Sequence, residues 1–242
     1  MTLFAETNRI FAALDRTDAV GAARLAGRLR DSVAGVKLGL EFFAANGPAG
    51  VGAISASGLP IFLDLKFHDI PNTVARAIEA VLPLAPALLT VHAAGGAAMM
   101  RAAAIAAAQA ETPVKVVAVT VLTSLDDEDL EMLGQGRSAS AQVRRLAGVA
   151  QDNGLDGIVC SPREIVALRA QCGPDFLLVV PGIRPRGADH DDQKRVTTPA
   201  KAIVAGADVL VIGRPITRAA DPVAAAGDIA RDIVAASASA RA

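Results

Sequence analysis

The stretch Ile-Phe-Leu-Asp-Leu-Lys-Phe-His-Asp-Ile-Pro-Asn-Thr, residues 61–73, places charged residues directly after a buried strand. The apolar run at 61–63 is typical of such a strand, and Asp64 and Lys66 follow at i and i+2. Side chains two residues apart in a strand point to the same face, so we expect these two to project together. Because ionised groups are costly to bury unless paired, we interpret them, with Asp69 nearby, as functional rather than as a surface salt bridge.

Similar short apolar runs recur on both sides of this stretch, each closed by a polar residue or a glycine. We predict strands at residues 10–15, 35–39, 61–66, 88–92, 115–122, 157–160, 177–181 and 209–212. Ala-rich segments with helical spacing lie between them, at residues 20–30, 73–82, 97–110, 139–153, 163–171 and 199–205. Strands that alternate with helices indicate parallel pairing. The pattern predicts an α/β fold, a single (β/α)8 TIM barrel. An open doubly wound sheet is the alternative, although no Gly-x-Gly-x-x-Gly follows the first strand.

The length of the chain permits one large domain or two small ones. The chain has 242 residues, of which 52% are hydrophobic, and a barrel of this class needs about 250. We predict one domain over residues 1–242, with residues 235–242 as a frayed tail. The net charge of −1 provides no electrostatic reason for nucleic acid or an anionic membrane as the main partner.

The cysteines and the N-terminus favour a cytoplasmic setting. Cys160 and Cys172 lack the spacing of a disulfide framework or a metal site, and we interpret both as buried free thiols. The first residues contain neither the basic nor the apolar segment of a secretory signal. No uninterrupted apolar run reaches the ~18 residues that would indicate a membrane span.

Polar residues stand where the predicted strands end, which is where barrels of this class carry their active sites. These residues are Asp15, Lys37, Asp64, Lys66, His92, Thr123, Arg184, Gly213 and Arg214. A single aspartate at such a position is often a helix N-cap. Capping does not explain polar residues after seven strands, so we predict one site at this end of the barrel. We interpret His92 as a structural hydrogen-bonding residue rather than a base.

The last two strands end in a predicted phosphate site. Gly213 lets a backbone N–H approach an anion, and Arg214 offers a planar fork of donors. Phosphate often binds after strands seven and eight of such barrels. The polar loop at 184–193 is long enough to act as a lid, with Gln193 reaching the phosphate. We interpret His190, in the same loop, as solvated, and the scattered histidines predict no metal site.

Together these residues resemble the orotidine 5′-phosphate decarboxylase family. The run from Asp64 to Thr73 is similar to the family's complete signature. Further matches are Ala-Leu-Asp15, Val-Lys37-Leu-Gly, Thr120-Val-Leu-Thr123-Ser, Pro-Gly-Ile-Arg184-Pro and Ile-Gly213-Arg214-Pro-Ile. The resemblance covers residues 8–234 and shows no departure at a functional position. It implies an enzyme that converts orotidine 5′-phosphate to UMP and CO2, the last step of UMP synthesis, without a cofactor or a metal.

The resemblance also implies catalytic roles. Lys66 would donate the proton to C6 of the pyrimidine, and Asp64 would lie against the departing carboxylate. Lys37 and Asp69 would complete an alternating Lys-Asp-Lys-Asp array. The chain would form a homodimer in which Asp69 and Thr73 reach the ligand of the other subunit.

Substrate-binding roles follow from the same resemblance. Asp15 and Lys37 would hold the ribose hydroxyls, and Thr123 would recognise the pyrimidine edge. The phosphate would be bound or covered by Arg184, Gln193, Gly213 and Arg214.

Two alternatives remain open. Mg²⁺-dependent sugar-phosphate enzymes, such as 3-keto-gulonate-6-phosphate decarboxylase and hexulose-phosphate synthase, share the barrel and the Asp-x-Lys-x-x-Asp core. They favour an acid where this chain has Lys37, and residues 70–73 match the orotidine family instead. The second alternative is a catalytically silent nucleotide-binding barrel, against which the intact Lys66 argues.

Overall fold

The structure, a computed structural model, describes residues 9–136, 138–185 and 197–241. The strands of this part are β1 (Ile10–Ala13), β2 (Gly35–Gly39), β3 (Ile61–Phe67), β4 (Leu88–His92), β5 (Lys115–Val119), β6 (Gly157–Val159), β7 (Leu177–Val180) and β8 (Val209–Ile212). They form one closed barrel in chain order, and β1 pairs in parallel with both β2 and β8. The predicted (β/α)8 barrel is therefore confirmed, and the open-sheet alternative is wrong.

Helices follow the strands around the outside of the barrel. Their bounds are α1 (Ala19–Leu29), α2 (Leu40–Ser55), α3 (Pro71–Val81), α4 (Gly96–Ala107), α5 (Asp127–Met132), α6 (Ala139–Asp152), α7 (Ile165–Cys172), α8 (Pro199–Val204), α9 (Arg214–Thr217) and α10 (Pro222–Arg241). In the described part of the chain, no helix is both long enough and apolar enough to cross a membrane. Helix α10 continues to Arg241. The fraying of residues 235–242 and the extent of the single domain both stay predictions.

Several element boundaries differ from the predicted ones. β1, β5, β6 and β7 end one to three residues early, so Asp15 and Thr123 lie in loops beyond the barrel wall. Helices α2, α5, α9 and α10 lie outside the helical segments named in the sequence analysis. Helix α2 bends at Gly47, where φ is 58°.

An apolar layer fills the lower interior of the barrel. It consists of Phe11, Phe62, Leu88, Val117, Val179 and Val209, all buried. The rings of Phe11 and Phe62 meet edge to face, with centroids 6.2 Å apart. Gly35 makes room for this contact, because a Cβ at that position would lie 2.4 Å from the ring of Phe11. The next inward-facing positions are two residues further along each strand, and they form the floor of the site described below.

Candidate active site

A cavity of about 280 Å³ opens at the C-terminal ends of the strands. Its walls contain eight of the predicted site residues: Asp15, Lys37, Asp64, Lys66, Thr123, Arg184, Gly213 and Arg214. Apolar residues, among them Val119, Leu122 and Val159, line much of the remaining wall. A pocket with apolar walls and a few converging polar groups is the usual form of a small-molecule site.

Four of these residues form a continuous row of alternating charge. The Lys37 ammonium lies 2.9 Å from Asp15 Oδ1 and 3.6 Å from Asp64 Oδ2. The Lys66 ammonium lies 2.7 Å from Asp64 Oδ1. Lys37 is buried, and the Asp64 side chain is only 14% exposed. The row therefore places two cations around one nearly buried carboxylate, with Asp15 at its outer end.

The buried carboxylate of Asp64 stays ionised. Burial acts to raise its pKa, because the charged form loses its hydration. The ammonium groups of Lys37 and Lys66, together with hydrogen bonds from Lys66 and Thr90, act in the opposite direction. These contacts outweigh burial, so the pKa of Asp64 lies below its ordinary value.

The outer end of the row, where Lys37 meets Asp15, depends on a glycine. A Cβ at Gly39 would lie 2.8 Å from the Lys37 ammonium nitrogen and 3.5 Å from Asp15 Oδ1. Any side chain at this position would displace the ion pair. Only the fold reveals this requirement, because it follows from the close approach of Lys37 and Asp15 in space.

Lys66 is positioned by a bulge in β3. Its backbone has φ 51°, in the left-handed region that residues with side chains seldom adopt. The β3–β4 register passes from Leu63 opposite Leu89 to Phe67 opposite Val91, so three residues of β3 face one of β4. Asp64 and Lys66 do lie side by side, as expected. Regular strand alternation was the wrong reason, because alternation does not hold through a bulge.

The sequence analysis missed Thr90, which touches both members of this pair. Its hydroxyl donates to Asp64 Oδ1 at 3.1 Å and accepts the backbone N–H of Lys66 at 2.8 Å. Thr90 is fully buried in the barrel. The sequence contained one sign of this role. Thr90 lies two residues after Leu88 in β4, so its side chain points into the barrel, just above the apolar layer.

The predicted phosphate residues meet on the side of the cavity formed by β7 and β8. Gly213 and Arg214 lead into α9, and Arg184 follows β7 as a buried residue that donates to the Ile183 carbonyl at 3.0 Å. The Arg184 N–H donates to the Thr197 carbonyl at 2.9 Å, so both flanks of the segment at 186–196 are joined. Gln193 and His190 lie outside the described residues, and the lid stays a prediction.

Asp69 and Thr73 do not line the cavity of the single chain. Residues 68–73 are all exposed, and Asp69 Oδ1 accepts only the neighbouring Ile70 N–H, at 2.7 Å, among the hydrogen bonds described. Ile70, in the same stretch, is also exposed to solvent, at 67%. Within one chain the row of charges ends at Asp15, and the contribution of Asp69 from a second subunit stays a prediction.

His92 has a local structural environment. Its Nδ1 accepts the Ala94 N–H at 3.4 Å, and its ring stacks on His68 with centroids 5.1 Å apart. Burial lowers the pKa of His92, and the neighbouring His68 and Lys66 lower it further. An Nδ1 that accepts carries no proton, so the ring is neutral with its proton on Nε2, which agrees with the interpretation of His92 as a hydrogen-bonding residue.

The described part of the chain contains no cluster of side chains that could bind a metal ion. No group of three or more His, Cys, Asp or Glu side chains there is arranged to hold a metal ion. Both cysteines are buried free thiols, as expected, and burial raises the pKa of each. Cys160 also lines the cavity.

The chain is similar over most of its length to proteins of one family. The family model described as "Orotidine 5'-phosphate decarboxylase / HUMPS family" matches residues 8–229. An orotidine 5′-phosphate decarboxylase of Rhodospirillum rubrum is 59% identical over 234 residues, 94% of each chain. One of Paramagnetospirillum magneticum is 57% identical over 231 residues, 93% of this chain and 98% of that protein.

A solved structure shows the same likeness. The crystal structure of orotidine 5′-phosphate decarboxylase from Lactobacillus acidophilus superposes with a TM-score of 0.82 at 36% identity. The match covers 93% of this chain and 99% of that one.

Proposed function

The chain belongs to the orotidine 5′-phosphate decarboxylase / HUMPS family, and we infer that it decarboxylates orotidine 5′-phosphate to UMP, with Lys66 as the proton donor. The observation that carries this inference is the row Lys37–Asp64–Lys66 at the floor of an apolar-walled cavity. The relatives named above, at more than half identity, favour this reaction over those of the Mg²⁺-dependent sugar-phosphate enzymes.

The chemistry requires a cation beside the pyrimidine. When the C6–carboxylate bond breaks, CO2 leaves and the electron pair stays on C6 in the plane of the ring. The π system cannot delocalise a charge in that plane. The Lys66 ammonium compensates the charge as it develops and then transfers a proton to C6, which forms UMP and leaves a neutral amine. Solvent returns the proton to Lys66 before the next turnover.

Proton transfer by itself does not account for the rate such a reaction needs. General acid catalysis contributes about 10²–10⁴-fold, whereas enzymes accelerate reactions by about 10⁶–10¹⁷-fold. Preorganised electrostatics supplies the remainder, because fixed charges need no reorganisation when the transition state forms. The ion pairs to Asp64 hold both ammonium groups at the cavity floor in this way.

The remaining wall residues bind the substrate. Asp15 and Lys37, joined at 2.9 Å, hold the ribose hydroxyls, and Thr123 recognises the pyrimidine edge. Arg184, Gly213 and Arg214 bind the phosphate on the β7–β8 side, with Gln193 covering it. Support for this assignment comes from the shared cavity, which all of these except Gln193 line. We also propose a cytoplasmic location, the setting that free thiols favour.

The direct test is an activity assay with and without a metal chelator. We expect purified protein to convert orotidine 5′-phosphate to UMP at the same rate with and without EDTA, as measured by the decrease in absorbance of the substrate. The charges that stabilise the carbanion belong to Lys37 and Lys66, so chelation removes nothing that the reaction uses. No turnover by folded protein, combined with Mg²⁺-dependent decarboxylation of a sugar phosphate, would move the assignment to the other branch of the family.

The proposed catalytic unit is a homodimer. Support comes from residues 68–73, which carry Asp69 and Thr73 and are all exposed in the single chain. An exposed isoleucine within this stretch, Ile70, is the kind of apolar group that an interface covers. In a two-fold symmetric dimer each subunit would present Asp69 to the cavity of the other, next to Lys66.

Subunit mixing tests this exchange. Lys66→Ala and Asp69→Ala homodimers are each expected to be nearly inactive, since both residues serve every site. When the two variants are mixed and allowed to exchange, activity should return to roughly a quarter of the wild-type value, because a two-fold dimer gains one intact site per mixed pair. Failure to recover, with exchange shown by differently tagged subunits, would place Asp69 in its own chain's site.

A further inference from the structure

We propose that Thr90 is a positioning residue for the decarboxylation, which locks the Asp64 carboxylate and the Lys66 backbone into one rigid unit through its hydroxyl. This inference rests on the proposed function and adds a residue to which the family resemblance assigns no role. Thr90 does not line the cavity, so it acts on the substrate only through the two residues that it holds.

The hydroxyl of Thr90 makes two bonds with fixed directions. It carries one proton, and an ionised carboxylate can only accept, so the hydroxyl donates to Asp64 Oδ1 at 3.1 Å. Its oxygen then accepts the N–H of Lys66 at 2.8 Å. A side chain with a single donor and an oxygen acceptor in the same place is therefore required, and valine, which has the same shape, provides neither.

The second of these bonds belongs to the bulge in β3. In a regular parallel ladder the Lys66 N–H would bond to a backbone carbonyl of β4. Here three residues of β3 face Thr90 alone, and its side chain takes the place of that carbonyl. The left-handed backbone of Lys66, with φ 51°, is unfavourable for a residue with a side chain and persists only where neighbours hold it. Thr90 provides that restraint.

The first bond orients the carboxylate. Asp64 Oδ1 accepts from both Lys66 and Thr90, while Oδ2 faces Lys37 at 3.6 Å. Without the hydroxyl the carboxylate is free to rotate and exchange its two oxygens between the lysines. Thr90 is 0% exposed, so solvent does not reach the position to replace the lost donor. Thr90 thus fixes the position of the Lys66 ammonium through two contacts, one with the Asp64 carboxylate and one with the Lys66 backbone.

The test compares Thr90→Val with Thr90→Ser. Hydrogen bonds to charged groups are the stronger class, so we expect Thr90→Val to lower kcat about 10–100-fold. KM should stay within a few-fold, because the ribose and phosphate groups bind elsewhere in the cavity. Thr90→Ser retains the hydroxyl and should recover most of kcat.

Loss of the Thr90 bond also removes one contact that lowers the pKa of Asp64. The acid limb of the kcat profile should therefore move to higher pH in Thr90→Val, with Lys37 and Lys66 still facing the carboxylate.

A matched control separates positioning from simple loss of a buried bond. Thr120 is also buried, and its hydroxyl donates to the uncharged Val159 carbonyl at 2.9 Å. Thr120→Val should lower the melting temperature by a similar amount and leave the acid limb of the pH profile in place. If Thr90→Val does not fold, Thr90→Ala takes its place in every comparison.

Three results would overturn the inference: wild-type kcat in Thr90→Val, equal impairment of Thr90→Ser and Thr90→Val, or an unmoved acid limb. A crystal structure of Thr90→Val tests the geometry without any reaction. We expect the Lys66 φ to leave the positive region and the Lys66–Asp64 distance to lengthen, whereas unchanged geometry would refute the role. If the wild-type protein does not turn over orotidine 5′-phosphate, the proposed function fails. The crystal structure of Thr90→Val still tests separately whether Thr90 positions Asp64 and Lys66.

Discussion

Lys66→Ala should abolish turnover, with kcat falling by about 10⁴–10⁷-fold, while the barrel stays folded. The estimate multiplies about 10²–10⁴ for the lost general acid by about 10²–10³ for one preorganised electrostatic contact. The fold should survive because Asp64 keeps Lys37 at 3.6 Å and the Thr90 hydroxyl at 3.1 Å. The loss is measured by single-turnover kinetics, and folding by far-UV circular dichroism and thermal melting.

Lys115 provides the matched control. Its ammonium also lies 2.7 Å from a carboxylate, that of Asp156, and its side chain is 39% exposed against 29% for Lys66. Lys115 starts β5, at the end of the barrel away from the cavity. Lys115→Ala therefore removes an equally short ion pair and should leave kcat within a few-fold of the wild type. If Lys66→Ala retained a substantial part of the activity, or if both variants lost activity equally, the assigned role of Lys66 would be wrong.

Arg214→Ala should lower kcat/KM by about 10²–10⁴-fold, which corresponds to two hydrogen bonds to a charged group at ~1.5–3 kcal/mol each. The phosphate lies far from the bond that breaks, so its binding energy is available to order the charged row. Arg214 stands at the start of the short helix α9, half-buried at the cavity wall. We expect the melting temperature to change little by comparison.

A substrate without the phosphate tests the cause of that effect. With the nucleoside orotidine, wild-type protein and Arg214→Ala should react at similar slow rates, because the contact that distinguishes them is gone. Arg218→Ala is the control, since Arg218 is an exposed arginine directly after α9. Equal kcat/KM for Arg214→Ala and wild type at low concentrations of orotidine 5′-phosphate would remove Arg214 from the phosphate site.

The predicted strands illustrate how far local pattern reaches. The eight apolar runs were each found, because a buried parallel strand needs a continuous apolar segment whatever surrounds it. Their ends were placed less well, and β5 stops at Val119 although the predicted strand continues to Leu122. The end of a ladder depends on where the neighbouring strand stops, and that is not a property of the segment itself. Helix α2 was missed for a related reason, since packing of Phe42, Val51 and Ile54 into the core holds it together across the bend at Gly47.

The sequence by itself determined the barrel, the family and the residues that meet at the C-terminal ends of the strands. The barrel and the site residues follow from local patterns, the alternation of apolar strands with helices and the polar residues that close each strand. The family follows from the resemblance of residues 64–73 and of the shorter motifs around them. Only the tertiary structure decided how these residues are held: the bulge that aims Lys66, the Thr90 hydroxyl between Asp64 and Lys66, and the close approach at Gly39. The physical reason is that hydrogen bonds and ion pairs form between atoms brought together by closure of the barrel, and distances across a closed sheet are not encoded in the spacing of any single segment.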